Sequence, residues 1–206
     1  MLTDLRMRNI LKIFSAQRES DRAAKNIEPD ALNTAIRSVA ILVDSQVAFG
    51  SRAADVAGQL GPSAIEMLVS RLHTPSCPTP ETFESGVRGL GAWLTAWQFA
   101  VFEILFHFRS SAVEVLRRIA WGEYDWTQGN ALEILVRFAA EGIGRDVMTA
   151  DFHQNFEHVA DEAKRYAIGP LLHRAKFELR VAAIVSELNS VAGWCEVVYE
   201  LEGRNR

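Results

Sequence analysis

The chain has 206 residues, of which 49% are hydrophobic and 23% charged, and its formal net charge is −4. Such a composition excludes wholesale disorder, and a chain this long can bury about 70% of its unfolded surface without a disulfide or metal. The acidic balance argues against broad nucleic-acid binding, which needs a basic excess to track phosphates. Cys77 and Cys195 are far apart and in no paired motif, so neither a disulfide framework nor a zinc spacing is present. Charges run through the first eight residues, where a signal peptide would be apolar. The expectation is one cytoplasmic, reduced domain over 1–206, with no cofactor and no metal.

Residues 1–28 set Leu2, Leu5, Ile10, Leu11 and Phe14 among Arg6, Arg8, Lys12 and Arg18. They read as an N-terminal capping helix or arm, which the ends of helical stacks require. Leu32, Ile36, Val39, Val43 and Val47 recur at helical spacing on one face, with Asp30 as the N-cap after Pro29. Two short helical patterns at 51–60 and 62–73 meet at Gly61-Pro62, where proline suits a first turn. The segment 73–81 holds three of the six prolines and reads as an exposed loop. Helical patterns return at 81–108, with a break near Gly89 to Gly91, and at 110–121, 128–142, 145–168 and 170–201, the last as one helix or as two separated near Asn189 or Gly193. No stretch alternates with period two long enough to predict a strand.

The twenty residues between Arg88 and Arg109 are long enough to cross a bilayer. They contain Gln98, Glu103 and His107, however, and a carboxylate at mid-membrane costs about 2.5–3.5 kcal/mol. A central helix buried on all sides is the reading adopted, with no membrane span.

The chain resembles itself. Ser63-Ala64-Ile65-Glu66-Met67-Leu68 lies over Ser111-Ala112-Val113-Glu114-Val115-Leu116 at a shift of 48 positions. Fainter copies begin at Asn130 and around Ala167-Ile168-Gly169-Pro170-Leu171-Leu172, where the Gly-Pro turn recurs. In Leu60-Gly61-Pro62-Ser63-Ala64-Ile65 the sequence resembles the HEAT and armadillo-like repeats, in which a first helix ends at a Leu-Gly-Pro turn and a second begins Ala-Ile or Ala-Val. The resemblance implies an all-α superhelix of stacked antiparallel helix pairs, an α-solenoid, over residues 30–190. Each pair is apolar on two faces and must share a core with its neighbours. A compact helical bundle is the alternative.

Few features point to chemistry. The loop Trp121-Gly122-Glu123-Tyr124-Asp125-Trp126 joins two helical patterns and gathers aromatic and acidic side chains; it is the candidate binding site. The plainer account packs Trp121 and Trp126 onto helix ends and makes Asp125 a cap. Glu103 and His107 stand four residues apart in the most apolar segment and form a candidate buried polar pair, with Arg109 or Arg137 as further partners. His153, Glu157, His158, Asp161 and Glu162 cluster, yet two histidines five apart lie about 140° round a helix and cannot share one ion. Trp93, Trp97 and Phe102 read as core rather than as a ligand pocket. No nucleophile elbow, glycine-rich phosphate loop or HExxH motif occurs.

The function expected is a non-enzymatic protein-interaction or adaptor module that holds a protein partner on a concave helix face or an edge loop. The alternative is an enzyme on a helical-repeat scaffold, as in the HEAT-like DNA glycosylases, which the acidic charge disfavours.

Overall fold

The most apolar segment of the chain becomes one helix, and its neighbours on both sides in sequence fold onto it. The structure, a computed structural model, describes residues 29–76, 78–84 and 89–203. Among the described residues all regular structure is helical: α1 Pro29–Ala40, α2 Gln46–Leu60, α3 Ile65–Val69, α4 Glu81–Glu84, α5 Gly89–His107 and α6 Val113–Ala120. Then follow α7 Gln128–Ala140, α8 Arg145–Asn155, α9 Asp161–Ala175, α10 Leu179–Glu187 and α11 Trp194–Gly203. The expected cap at 1–28 lies outside the described residues.

α5 buries Trp93, Trp97, Ala100, Val101, Ile104 and Leu105, so it has apolar surface to offer in several directions. α1, α2, α3 and α4 pack around it, and its remaining side meets α7. α7 in turn packs against α6, α8, α9 and α10, and α9 against α10 and α11. The packing thus passes along the chain through α5, α7 and α9. Among the described residues no helix is long and apolar enough to cross a membrane.

The internal repeat has a structural counterpart. A 3₁₀ turn over Pro62–Ala64 leads into α3, and one over Arg109–Ala112 leads into α6. Ala64 and Ala112 are fully buried at matched positions, as are Leu68 and Leu116. Glu66 and Arg118 join the two copies through hydrogen bonds of 2.8 and 2.9 Å. The fourth copy is different: Gly169 and Pro170 are no turn but lie inside α9. Burial of Ala163, Ala167, Ile168 and Leu171 on one side carries the helix through the proline, which forfeits one backbone hydrogen bond.

Two further expectations are corrected. Pro29 and Asp30 belong to the first turn of α1, and that helix stops at Ala40. A turn closed by Leu42 N–H to the Val39 carbonyl and Ser45 N–H to the Leu42 carbonyl moves Val43 and Val47 off its face, leaving Val47 81% exposed. The pattern at 145–168 breaks at Asn155, because extended Val159 and Ala160 separate α8 from α9. The proline-rich loop, exposed at His73, Thr74 and Pro78, is also tied down. Trp93 Nε1 donates to the Ser76 carbonyl at 3.1 Å, and Arg37 Nη1 donates to that of Pro78 at 2.6 Å.

Candidate functional site

Two surfaces gather the side chains singled out by the sequence. The first is the 121–127 loop between α6 and α7. Its base is closed by Gln128 Nε2, which donates to the Ala120 carbonyl at 3.0 Å. Asp125 braces the turn twice. One carboxylate oxygen accepts the Thr127 N–H at 2.7 Å, and the other lies 3.0 Å from His73 Nε2. Trp121 turns inward, edge-on to Phe152 with ring centres 5.1 Å apart. Tyr124 and Trp126 turn outward, 53% and 74% exposed, and Glu123 is exposed beside them. The Tyr124 hydroxyl donates to Glu162 Oε2 at 2.8 Å, and this bond holds the phenol's pKa above its ordinary value.

The loop residues therefore divide: Trp121 belongs to the core, Asp125 shapes the turn, and Glu123, Tyr124 and Trp126 face outward. Tyr166 of α9 joins them on this side. A Cβ at Gly129 would stand 2.6 Å from the Tyr166 Cβ, so α7 and α9 approach closely only because position 129 has none. The glycine is the one signal in the sequence that marks this approach, and Tyr166 itself was not among the candidates.

The second surface is a groove. Phe99, Phe102, Glu103 and Phe106 form a stripe at spacing i, i+3, i+4, i+7 along α5. Asn130, Glu133, Ile134 and Arg137 repeat that spacing on α7, and Pro170, His173 and Arg174 begin it on α9. Without Phe106, and together with Val43, Gln46 and Phe49, they line a cleft of about 390 Å³. A second cleft, of about 450 Å³, shares Arg137 and is rimmed by Phe177 and Leu179.

A ladder of charges crosses the groove floor. Arg137 donates from both terminal nitrogens to the two oxygens of Glu103, at 2.8 and 2.9 Å. Its Nη1 also lies 3.6 Å from Glu133 Oε2. Arg174 Nε donates to Glu133 Oε1 at 3.1 Å, and its Nη1 to Glu178 at 3.2 Å. The Arg137 guanidinium sits 3.8 Å over Phe106, whose ring stacks on Phe138. Burial pushes the Glu103 pKa up, but the Arg137 hydrogen bonds and charge outweigh it and hold the carboxyl below its ordinary range. The same acids hold Arg137 firmly protonated against its own burial.

The expected pairing of Glu103 with His107 is thus secondary. His107 Nε2 is 3.9 Å from Glu103 Oε1, beyond hydrogen-bond distance, and is buried without a hydrogen-bond partner among the described residues. Burial keeps that imidazole's pKa low. Arg109 pairs instead with Glu141. Trp93 and Trp97 are core, with both indole N–H groups donating to backbone carbonyls. Among the described residues no three His, Cys, Asp or Glu side chains stand close enough to hold a metal ion.

Both oxygens of Glu103 are held by one guanidinium fork, so that carboxylate is fixed as an ion rather than set up to exchange a proton. Comparison of the chain with protein-family models, curated proteins and solved structures finds no match.

Proposed function

We propose that this protein is a non-enzymatic binding module of the HEAT/armadillo-like kind, which presents its 121–127 loop to a basic segment of a partner protein. The carrying observation is Trp126, an indole 74% exposed on a turn braced by Asp125. A large aromatic side chain left in water on an ordered loop is an anchor looking for a pocket, and it gives contact area at little entropic cost. Glu123, Asp125 and Glu162 put negative charge around it, which favours a positively charged partner and speeds its approach. The repeated stripes on α5, α7 and α9 support the stacked-pair reading of the fold.

The test is capture of partners by the full chain and by a Trp126→Ala/Glu123→Gln variant, at low and raised salt. A discrete protein retained by the wild type, lost in the variant and weakened by salt is the expected result. Equal recovery of the same protein by both forms would remove the loop from the function.

One observation favours a glycosylase-like alternative: a carboxylate, Glu103, on an aromatic groove floor. Its neutralisation by Arg137 weighs against that reading. Retention of duplex DNA at low salt would reverse the preference.

A further inference from the structure

We infer that the partner residue this protein takes is an arginine, whose guanidinium lies on the aromatic face formed by Tyr124, Trp126 and Tyr166 and is forked onto Glu162. This rests on the 121–127 loop being the contact surface, as proposed above, and names what the loop selects.

Two contacts fix the loop against α9. The Tyr124 hydroxyl donates to Glu162 Oε2 at 2.8 Å, and a Cβ at Gly129 would stand 2.6 Å from that of Tyr166. Residue 124 thus stands at Glu162 and residue 129 at Tyr166. Glu162 and Tyr166 are four residues apart on one face of α9, so Trp126, between the two contacts in the chain, stands over the same turn. Tyr124, Trp126 and Tyr166 are 53%, 74% and 51% exposed, and none meets another ring among the described residues. A lone exposed ring needs no explanation, but three grouped on one surface mark a place of contact.

The charge around the rings does not cancel. The bases of α6 and of the first half of α9 each hold an acid: Arg117 has Asp151, Arg118 has Glu66, Lys164 has Asp161 and Arg165 has Glu200. Glu123 and Glu162 have no ion pair among the described residues. The turn after α3 brings Arg71 and His73, and His73 lies 3.0 Å from Asp125. Counted as two full positive charges, they still leave Glu123, Asp125 and Glu162 in excess. Glu157 and His158, on the 3₁₀ turn before α9, add one acid and at most one base. The Tyr124 phenol feels the same sign, its pKa raised first by the Glu162 hydrogen bond and further by the charges of Glu162 and Asp125. A cation is the complement of this surface.

Arginine suits it better than lysine. After the tyrosine bond, Glu162 Oε2 keeps one lone pair and Oε1 keeps both, so the carboxylate can accept a two-pronged donor. The tyrosine hydroxyl also holds that carboxylate in place, which favours a bidentate bond. A guanidinium is planar and weakly hydrated and can lie flat on a ring, whereas an ammonium must first surrender a tight water shell. The protein already contains the arrangement: Arg137 lies 3.8 Å over Phe106 while its two terminal nitrogens hold both oxygens of Glu103. The outer face of α9 offers the same acid and ring to an arginine from elsewhere.

The test titrates the full chain with three acetylated tripeptide amides: Gly-Arg-Gly, Gly-Lys-Gly and Gly-citrulline-Gly, the last an uncharged isostere of the first. Binding is followed by tryptophan emission and by indole N–H chemical shifts. Saturable binding of the arginine peptide is expected, about threefold or more tighter than the lysine peptide and about tenfold tighter than the citrulline peptide. Glu162→Gln and Tyr166→Ala should each weaken it by about three- to tenfold. Alanine at 166 keeps the Cβ that packs on Gly129, and unchanged thermal unfolding of either variant shows that the fold is intact. Glu66→Gln, on the Glu66–Arg118 surface pair, should bind like the wild type. Equal binding of the lysine and arginine peptides, both lost in Trp126→Ala, would overturn the arginine assignment alone and leave the loop a reader of basic segments. Arginine binding untouched in both α9 variants, or no preference over citrulline, overturns the assignment as well. So does a lack of saturable binding by all three peptides, and the partner capture described above then decides the loop reading by itself.

Discussion

Arg109 stands 48 residues after Gly61 and, like it, has a positive φ, 59° against 69°. It is the single non-glycine residue with positive φ among the described residues. Gly61 immediately precedes the 3₁₀ turn of the first copy, and Arg109 is the first residue of the corresponding turn in the second. The second copy keeps the positive φ while losing the residue that adopts it freely. A side chain in that region costs about 1–2 kcal/mol, partly offset by the conformational freedom glycine loses on folding.

Arg109→Gly should therefore stabilise the protein once the Arg109–Glu141 ion pair is taken out of the comparison. In a Glu141→Gln background we expect a gain of about 0.5–1 kcal/mol, or roughly 1–4 °C in melting temperature. Thermal unfolding of the single and double variants measures it. A loss of stability on adding glycine would show that the turn is held by the arginine side chain instead.

That turn also shows how far the sequence could be read. The matched alanines and leucines of the two copies announce their burial, whereas Phe108-Arg109-Ser110 carries no sign of a glycine-like backbone. The converse holds at Gly169-Pro170, a strong turn signal overridden by packing on the buried face of α9. α5 was legible because an apolar run with few polar residues admits few other environments. The groove was not, since its three stripes come from helices whose facing is decided by long-range contacts. Glu103 could be recognised as needing a partner, but the choice of Arg137, 34 positions away, over His107 and Arg109 depends on how α5 crosses α7.

Stability should fall on acidification in two stages. His107 has a folded pKa below its ordinary 6.5, so the folded chain disfavours the proton. Its contribution is present above pH 6.5 and is lost as pH falls below that value. Glu103, depressed below 4.5 chiefly by Arg137 against burial, favours folding above 4.5 and loses that contribution as pH drops further. His107→Gln should flatten the first stage alone. At neutral pH Glu103→Ala should cost about 3–5 kcal/mol by stranding Arg137, whereas Glu103→Leu with Arg137→Met should come out near neutral. Urea unfolding between pH 7 and about 2.5 reads both stages, and a pH-independent midpoint in the wild type would contradict the assignment.

Gly129→Ala inverts the usual helix rule. Alanine in a helix interior normally gains about 1 kcal/mol over glycine. Here the added Cβ would lie 2.6 Å from the Tyr166 Cβ and 2.7 Å from the Ala163 carbonyl oxygen, and backbone cannot step aside. α7 and α9 must separate, at a net cost of about 1–3 kcal/mol. A denaturation midpoint at or above that of the wild type would mean that the two helices do not cross this closely.

Trp126 and Trp194 make opposite predictions from the same residue type. Trp194 is fully buried against Phe152 and Phe156, with ring centres 5.9 and 5.2 Å away. Its replacement by alanine removes the middle of that cluster and should cost about 3–5 kcal/mol. Trp126 has its ring in water, so Trp126→Ala should leave stability within about 0.5 kcal/mol of the wild type. Its emission should also be the most readily quenched by acrylamide, and the variant should lose that accessible fraction. These two measurements separate binding from folding before any partner is known. If Trp126→Ala unfolds with a loss comparable to Trp194→Ala, the indole is spent on the protein's own core, and the loop has no anchor to offer.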